Sequence, residues 1–324
     1  MNSIEKTEQL QQLLKQKLLQ LIDQDYVLYG LPYYSNIGDT LIWEGAIEVL
    51  KDIPYKCRSV CGWSDYPQKQ LPKDYTILIE GGGYFGDVWR HGWEIVLNEL
   101  NINKDNKIIL LPNTIWYKDP KILETDQRLL AKMPKLTICA RDQQSYDFAQ
   151  KYFNNDVYLL PDLAFCINKS YLAKWEKTAI KNCLYLKRED KELVERDDLR
   201  SILPADTEIS DWPTMVSPNH TQKFIEEVAY AFRHRLGGKL TKNDFAITLY
   251  NKMYYHIYRK EMSKRGVEFI STYKTIYTTR LHGMILAALL GKETFFFDNS
   301  YGKIKTLYDT WLSDTDNIKP VKQL

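Results

Sequence analysis

Short apolar runs recur along this chain, and each gives way to a polar or glycine-containing loop before a helical pattern begins. Tyr26–Leu31, Tyr75–Ile79, Lys107–Leu111, Leu136–Ala140 and Val157–Leu160 read as strands in the first half, and Asn182–Leu186, Lys274–Thr278 and Thr294–Phe297 in the second. Strands that alternate with helices imply an α/β protein with a mostly parallel sheet, because parallel neighbours need a crossover long enough to hold a helix. The 324 residues suffice for two domains. The stretch from about Asn168 to Asn182 reads as the passage between them, dividing residues 1–170 from 171–324.

The helical segments follow from spacing and caps. Leu10, Leu13, Leu14, Leu18, Leu19 and Ile22 make residues 3–22 an amphipathic opening helix, which either packs on the first domain or touches a membrane surface. Asp39 is placed to cap a helix running to about Leu50. Thr221–Leu236, stopped by Gly237-Gly238, Ile247–Arg265 and Lys303–Trp311 are further helices. Val267–Ile270 fits strand or helix, and the charged residues 188–200 suit a solvated helix or loop.

Composition narrows the function. Lys plus Arg outnumber Asp plus Glu by 44 to 42, so there is no global basic field for nucleic acid and any anion site must be local. Tyr and Trp, which present flat apolar faces with a polar edge, are abundant and suit sugar binding as well as ordinary cores. Cys57, Cys61, Cys139, Cys166 and Cys183 are an odd, scattered set with no secretory signal before them, which points to reduced thiols in the cytoplasm. No run reaches transmembrane length. Neither these cysteines nor His91, His220, His234 and His256 show a metal-ligand spacing.

Chemistry concentrates just past the strands, where open α/β sheets bind ligands. Lys274–Thr278 leads into Arg280-Leu281-His282-Gly283 and an apolar helix. A guanidinium grips carboxylate or phosphate through paired donors, and an imidazole adds a donor or moves a proton near neutral pH. Arg141 follows Leu136–Ala140, and Lys303 closes Asp298-Asn299-Ser300-Tyr301-Gly302-Lys303 beyond Thr294–Phe297. Taken alone, Arg141 reads as a structural partner of Asp142. Three cations at strand ends suit a multiply charged small ligand, and phosphoenolpyruvate and a nucleotide diphosphate both qualify. On the N-terminal side, Ser35-Asn36-Ile37-Gly38-Asp39-Thr40 lies between strand and helix, where free backbone N–H groups can meet an anion or a hydroxylated ligand. Glu80-Gly81-Gly82-Gly83-Tyr84-Phe85-Gly86-Asp87 lets backbone approach a ligand closely, but it has neither phosphate-loop nor dinucleotide spacing. Asp87 either accepts from a sugar hydroxyl or caps the next helix.

As an ordered set, these motifs resemble the polysaccharide pyruvyltransferases of bacterial exopolysaccharide and capsule operons. The set comprises Asn36-Ile37-Gly38-Asp39 with Ile42-Trp43, Gly81-Gly82-Gly83 with Phe85-Gly86-Asp87, Leu111-Pro112 with Ile115, Arg141-Asp142 with Ser145, Pro161-Asp162, Arg280-Leu281-His282-Gly283 and Asp298-Asn299-Ser300-Tyr301-Gly302-Lys303. It runs from about Tyr26 to Trp311. The resemblance implies a GT-B-like architecture, two Rossmann-type domains facing a central cleft, with the N-terminal one on the acceptor side and the C-terminal one on the donor side. It implies transfer of pyruvate from phosphoenolpyruvate to two sugar hydroxyls as a ketal, with release of phosphate and no cofactor. Arg141, Arg280, Leu281 and His282 take the family's donor-holding roles, joined here by Lys303. Asn36, Asp39, Gly82, Gly83, Tyr84 and Asp87 then face the acceptor. The implied acceptor is an exopolysaccharide or capsule unit, on a lipid carrier at the inner membrane face if the opening helix meets the bilayer. The chain departs from the family pattern at Tyr84, where many relatives carry Asn, at Thr279, where many carry Asp, and over residues 188–220, which match nothing familiar.

Forming a ketal from an enol ether requires a proton on the methylene carbon, attack by one hydroxyl, and displacement of phosphate by a second. Arg141, Arg280 and Lys303 would neutralise the donor. His282 would serve as general acid or as a donor to the leaving phosphate. Asp39 and Asp87 are the candidate bases, with Asp39 favoured because it adjoins the Asn36–Gly38 turn. Two other readings compete: a nucleotide-sugar glycosyltransferase, which would want an acid on the ribose, and a non-catalytic sugar-binding assembly protein.

Overall fold

A computed structural model of the chain describes residues 1–63, 65–195, 197–231 and 244–321. The predicted Gly237-Gly238 helix stop, the end of the helix before it and His234 lie outside the described residues. The strands are β1 Tyr26–Leu31, β2 Cys57–Gly62, β3 Thr76–Ile79, β4 Gly82–Gly86, β5 Lys107–Trp116, β6 Leu136–Ala140 and β7 Asp156–Leu159, then β8 Lys181–Leu186, β9 Glu208–Ser210, β10 Tyr273–Thr278, β11 Glu293–Phe296 and β12 Ile318–Pro320.

They form two sheets, and every described pairing is parallel, as the alternation of strand and helix predicts. The first sheet runs β2-β1-β3-β5-β6-β7, with β4 added on the far half of β5. The second runs β12-β11-β10-β8-β9. Read from its β9 edge, the second sheet repeats the first one's opening order, in which the direction of winding reverses beside the first strand. The reversals fall between β1 and β3 and between β8 and β10. Loops leaving two strands at such a point diverge and leave a crevice at their carboxyl ends. The registers set those ends level: Tyr29 opposite Ile79, and Thr278 opposite Leu186.

Several elements differ from the sequence expectation. β2 begins on exposed Cys57, Arg58 and Ser59, so its apolar signal is too weak to read. The glycine-rich stretch expected as a loop contains strand β4 instead. Its entry crosses β5 so closely that a Cβ on Gly81 would meet the Pro112 carbonyl oxygen at 2.5 Å. The ambiguous Val267–Ile270 belongs to the helix Arg259–Ser271, with Val267 and Ile270 both fully buried. Asn36, not Asp39, caps helix α2 (Ile37–Leu50): its side chain accepts from the Gly38 N–H at 2.9 Å, and Asp39 sits inside the first turn.

The opening helix α1 (Ser3–Leu21) buries Leu10, Leu14 and Leu18 in the core that also holds α2 and the helix Leu281–Leu289. Each such leucine contributes about 1.5–3 kcal/mol against leaving it in water. The Lys6 ammonium meets Asp314 at 2.8 Å, and the Ser3 hydroxyl donates to the Ala288 carbonyl at 2.8 Å. Thus α1 fastens onto second-half elements as well as the first, and its main apolar face is used internally. Leu13 and Leu19 remain on its exposed side. Among the described residues no helix is long and apolar enough to cross a membrane.

Candidate active site

Both reversal points open onto one cleft of about 750 Å³. Loops after β1 and β3 supply Asn36, Asp39, Glu80 and the backbone of Gly81–Gly83, while loops after β8 and β10 supply Arg188, Asp190, Glu192, Arg280 and His282. Arg141, after β6, and Lys303, heading the helix Lys303–Trp311, reach the same space. The three cations singled out in the sequence therefore share one hollow.

Each is held by a carboxylate. Arg141 is about 1 % exposed and donates to Asp162 at 2.7 Å and to the Thr114 hydroxyl at 2.8 Å. Its partner is thus Asp162, not the adjacent Asp142, which instead caps the helix Gln143–Tyr152 by accepting from the Ser145 N–H at 2.8 Å. Arg280 makes a two-pronged contact with Asp211 and lies 3.7 Å from Asp190. Lys303 pairs with Glu192, which also accepts from Arg188 at 2.6 Å, the Asn299 amide at 3.0 Å and the Trp89 indole at 3.0 Å.

These pairs set the protonation of the wall. Burial alone would raise the Asp162 carboxyl, but His282 and Arg141 hold it below the usual range. Burial would likewise raise Glu192, yet Lys303 and Arg188 pull it down to about 2. Burial lowers Lys303 to about 8; Glu192 opposes that shift, while Arg188 and Arg141 add to it.

Two glycines show how tightly the loops converge. A Cβ on Gly83 would lie 3.2 Å from Arg141 Nη2 and 4.0 Å from both Lys303 Nζ and Tyr301 Oη. A Cβ on Gly38 would lie 2.7 Å from His282 Nδ1. So β4's glycine backbone approaches the cation cluster, and the start of α2 abuts the imidazole. His282 Nε2 is 3.5 Å from the Asp162 carboxylate, whose same oxygen takes the Arg141 contact. Asp162 thereby links the Arg-Asp motif of the first half to the Arg-Leu-His motif of the second.

On the N-terminal side, Asn36, Asp39, Gly82, Gly83 and Tyr84 line the cleft, and Leu281 lines it beside His282. Asp39 accepts from the Tyr34 hydroxyl at 2.9 Å and the Asn36 amide at 2.7 Å. Asp87 does not cap the next helix. Its carboxylate accepts from the Lys118 and Asp119 N–H groups at 2.6 and 2.8 Å, off the cleft lining, and Trp89 occupies the cap position of the helix Arg90–Ile102.

Sequence reasoning missed Arg188, Asp190, Glu192 and Asp211, and it quoted Glu80 and Asp162 within motifs without giving either a role in the site. Arg188 and Asp162 had the signal that found Arg280 and Arg141: each closely follows a strand that was read correctly. The charged run from Arg188 was read as solvated, whereas Arg188 and Glu192 are buried against the cleft. Thr279 accepts from the Arg188 N–H at 2.9 Å, and Asp211 makes the two-pronged contact that orients Arg280. Among the described residues no group of three or more His, Cys, Asp or Glu could hold a metal ion.

A family model described as polysaccharide pyruvyl transferase matches residues 36–301. A Bacillus subtilis (strain 168) protein named "Putative pyruvyl transferase EpsO" is 26% identical over 317 residues, covering 95% of this chain and 94% of the relative. Pyruvyl transferase 1 of Schizosaccharomyces pombe is 25% identical over 312 residues, covering 88% of this chain and 69% of its own. The crystal structure of a functionally uncharacterised Klebsiella pneumoniae protein superposes with a TM-score of 0.62 at 17% identity, covering 95% of this chain and 97% of that one. That last likeness concerns the fold.

Proposed function

Because the chain belongs to the polysaccharide pyruvyl transferase family, we propose that it draws pyruvate from phosphoenolpyruvate and sets it as a ketal across two hydroxyls of a sugar in a polysaccharide precursor. Pyruvyl transfer to a polysaccharide is the family's activity. The donor and the ketal are our reading. The observation that carries it is the convergence of Arg141, Arg188, Arg280 and Lys303, with His282, on one cleft. A small ligand with both carboxylate and phosphate matches that many fixed N–H donors.

In this reading the donor sits on the C-terminal side and the acceptor on the N-terminal side, in two Rossmann-type halves divided near residue 170. Arg141 Nη2 and Lys303 Nζ, turned toward Gly83, bind the donor's anionic groups, and Arg280 and Leu281 close the far end. The carboxylates behind these cations keep them fixed before the donor arrives, so little reorganisation accompanies the reaction. His282 donates to the departing phosphate or protonates the donor. Asp39, next in the chain to the Gly38 that abuts the imidazole, accepts the proton of the attacking hydroxyl. Backbone at Gly82-Gly83, with Asn36 and Tyr84, positions the sugar. No step passes through a metal or cofactor. The acceptor is a capsule or exopolysaccharide unit, carried on lipid at the cytoplasmic membrane face.

The glycosyltransferase alternative is the weaker fit. Asp190, Glu192 and Asp211, the acids nearest the donor cations, are committed to Arg and Lys, leaving a ribose no free carboxylate among them. The test is a phosphate-release assay with phosphoenolpyruvate and a panel of lipid-linked and synthetic sugars, with mass spectrometry of the product. Phosphoenolpyruvate at 100 times its dissociation constant should stabilise the fold by about 2.7 kcal/mol. Stabilisation by a nucleotide sugar instead would sink the reading.

A further inference from the structure

One acid in the cleft has no assigned task. Glu80 follows β3 at the first reversal point, is 2 % exposed and lines the hollow, and neither of its carboxyl oxygens has a hydrogen-bond partner. The Tyr66 hydroxyl beside it is also buried and unpartnered. A Cβ on Gly30 would lie 2.8 Å from Tyr66 Oη and 3.6 Å from Glu80 Cβ, so the two flank one spot. The charged groups facing Glu80 are Asp39, from α2, and Asp162, beyond β7, both acidic. The phenols of Tyr34, Tyr66, Tyr84 and Tyr255 also act on it. Asp162, Asp190, Glu192 and Asp211, by contrast, each face a cation at short range. Desolvation, and then repulsion from Asp162 and Asp39, push the Glu80 carboxyl well above the usual carboxylate range and outweigh the Gly81 N–H, which pulls the other way. An unpaired carboxyl in such a site keeps its proton rather than ionising.

We propose that Glu80 is the acid that protonates the methylene carbon of the enol ether. The assignment deepens the phosphoenolpyruvate reading and rests on it. The Glu80 O–H bond breaks, and its proton is captured by the electron pair of the carbon–carbon double bond. The adjacent carbon becomes oxocarbenium-like, and the first sugar hydroxyl bonds to it while Asp39 takes that hydroxyl's proton. The second hydroxyl then bonds to the same carbon as the carbon–oxygen bond to phosphate breaks, and phosphate leaves with the bond pair. Its proton comes from Asp39, relayed by His282. The second hydroxyl's proton returns to Glu80, so each group ends as it began. His282 then serves the phosphate end, where Asp162 holds it, and the carbon end belongs to Glu80.

The experiment compares wild type, Glu80→Gln and Glu80→Ala for phosphate release across pH, for stabilisation by phosphoenolpyruvate, and for thermal unfolding. Glu80→Gln should lose about 10²–10⁴-fold in turnover. It should keep the donor-induced stabilisation and unfold no earlier than wild type, because the amide removes a buried ionisable group without removing a bond. Wild-type turnover should fall as rising pH deprotonates Glu80, and that decline should be absent from the residual rate of Glu80→Gln. Formate should restore turnover to Glu80→Ala in proportion to its protonated fraction, which a packing role would not produce. If Glu80→Gln loses its fold, the formate response of Glu80→Ala decides. Turnover of Glu80→Gln within about tenfold of wild type, or an Ala variant indifferent to formate, overturns the assignment while leaving the donor reading intact. A wild-type enzyme that releases no phosphate from phosphoenolpyruvate with any acceptor overturns both.

Discussion

On the C-terminal side of the cleft, Arg188, Arg280 and Lys303 are each clasped by a carboxylate, whereas on the N-terminal side Glu80 and Tyr66 lie buried with no partner. The paired side offsets the desolvation of its charges with short ion pairs and hydrogen bonds, and it gains fixed geometry. The unpaired side carries an uncompensated cost, which folded proteins tolerate where a site uses it. Arg141, clasped by Asp162, is the N-terminal half's own fixed cation, so what stands unpaired there is Glu80 with Tyr66 rather than a whole side.

The largest effect expected from disturbing this arrangement falls on His282, which sits between the walls. His282→Ala should lower turnover by about 10²–10⁴-fold while keeping part of the donor-induced stabilisation. Full activity, with the mass of the pyruvylated sugar unchanged, would remove His282 from the chemistry. Breaking the paired wall comes next. Arg280→Ala leaves Asp211 buried without its cation, with the Trp212 N–H still donating to it, at a cost of about 3–5 kcal/mol in urea unfolding. Adding Asp211→Ala should recover much of that stability and none of the activity. If Arg280→Ala is as stable as wild type, the clasp is not what organises this side.

Lys303 sharpens the comparison more gently. Burial holds it at about 8, and a bound phosphate would raise it, so donor binding near pH 8 to 9 should take up a proton, and at pH 6.5 this group should take up none. Calorimetry in buffers of different ionisation enthalpy measures the uptake, and its absence would place the phosphate away from Lys303. Glu192 titrates from 4.5 in the unfolded chain to about 2 in the fold. Its stabilisation is present above 4.5 and is lost as the pH falls toward 2, so Glu192→Gln should flatten the acid side of the stability curve over that window. The smallest effect belongs to Asp87, off the cleft. Asp87→Ala should cost about 1–2 kcal/mol from two backbone hydrogen bonds and change turnover by less than about threefold.

The sheet strands other than β2, β4, β9 and β12, and the cations Arg141, Arg280 and Lys303, were legible because periodicity and strand-end position are local signals. The pairings of Asp162 and Asp211 were not, because each partner lies elsewhere in the chain: Arg141, 21 residues away, and Arg280, 69 residues away. The Arg188 run was misread for the same reason. Charges look solvated in a sequence until a second strand end is known to face them. Asp39 and Asn36 exchanged roles because helix starts are read to within a few residues, and one short polar side chain caps as well as another.

By itself the sequence determined the alternating α/β architecture, the parallel strands and the motifs that lie at strand ends. These depend on side-chain period and on residues adjacent in the chain. The tertiary structure alone decided which charges meet and which do not. Strand order and register bring the β1/β3 and β8/β10 openings onto one hollow, and only there do Asp162, Glu192 and Asp211 neutralise cations while Glu80 stays alone. Whether a buried acid is a counter-ion or a proton source depends on its neighbours in space, and no spacing along the chain encodes them.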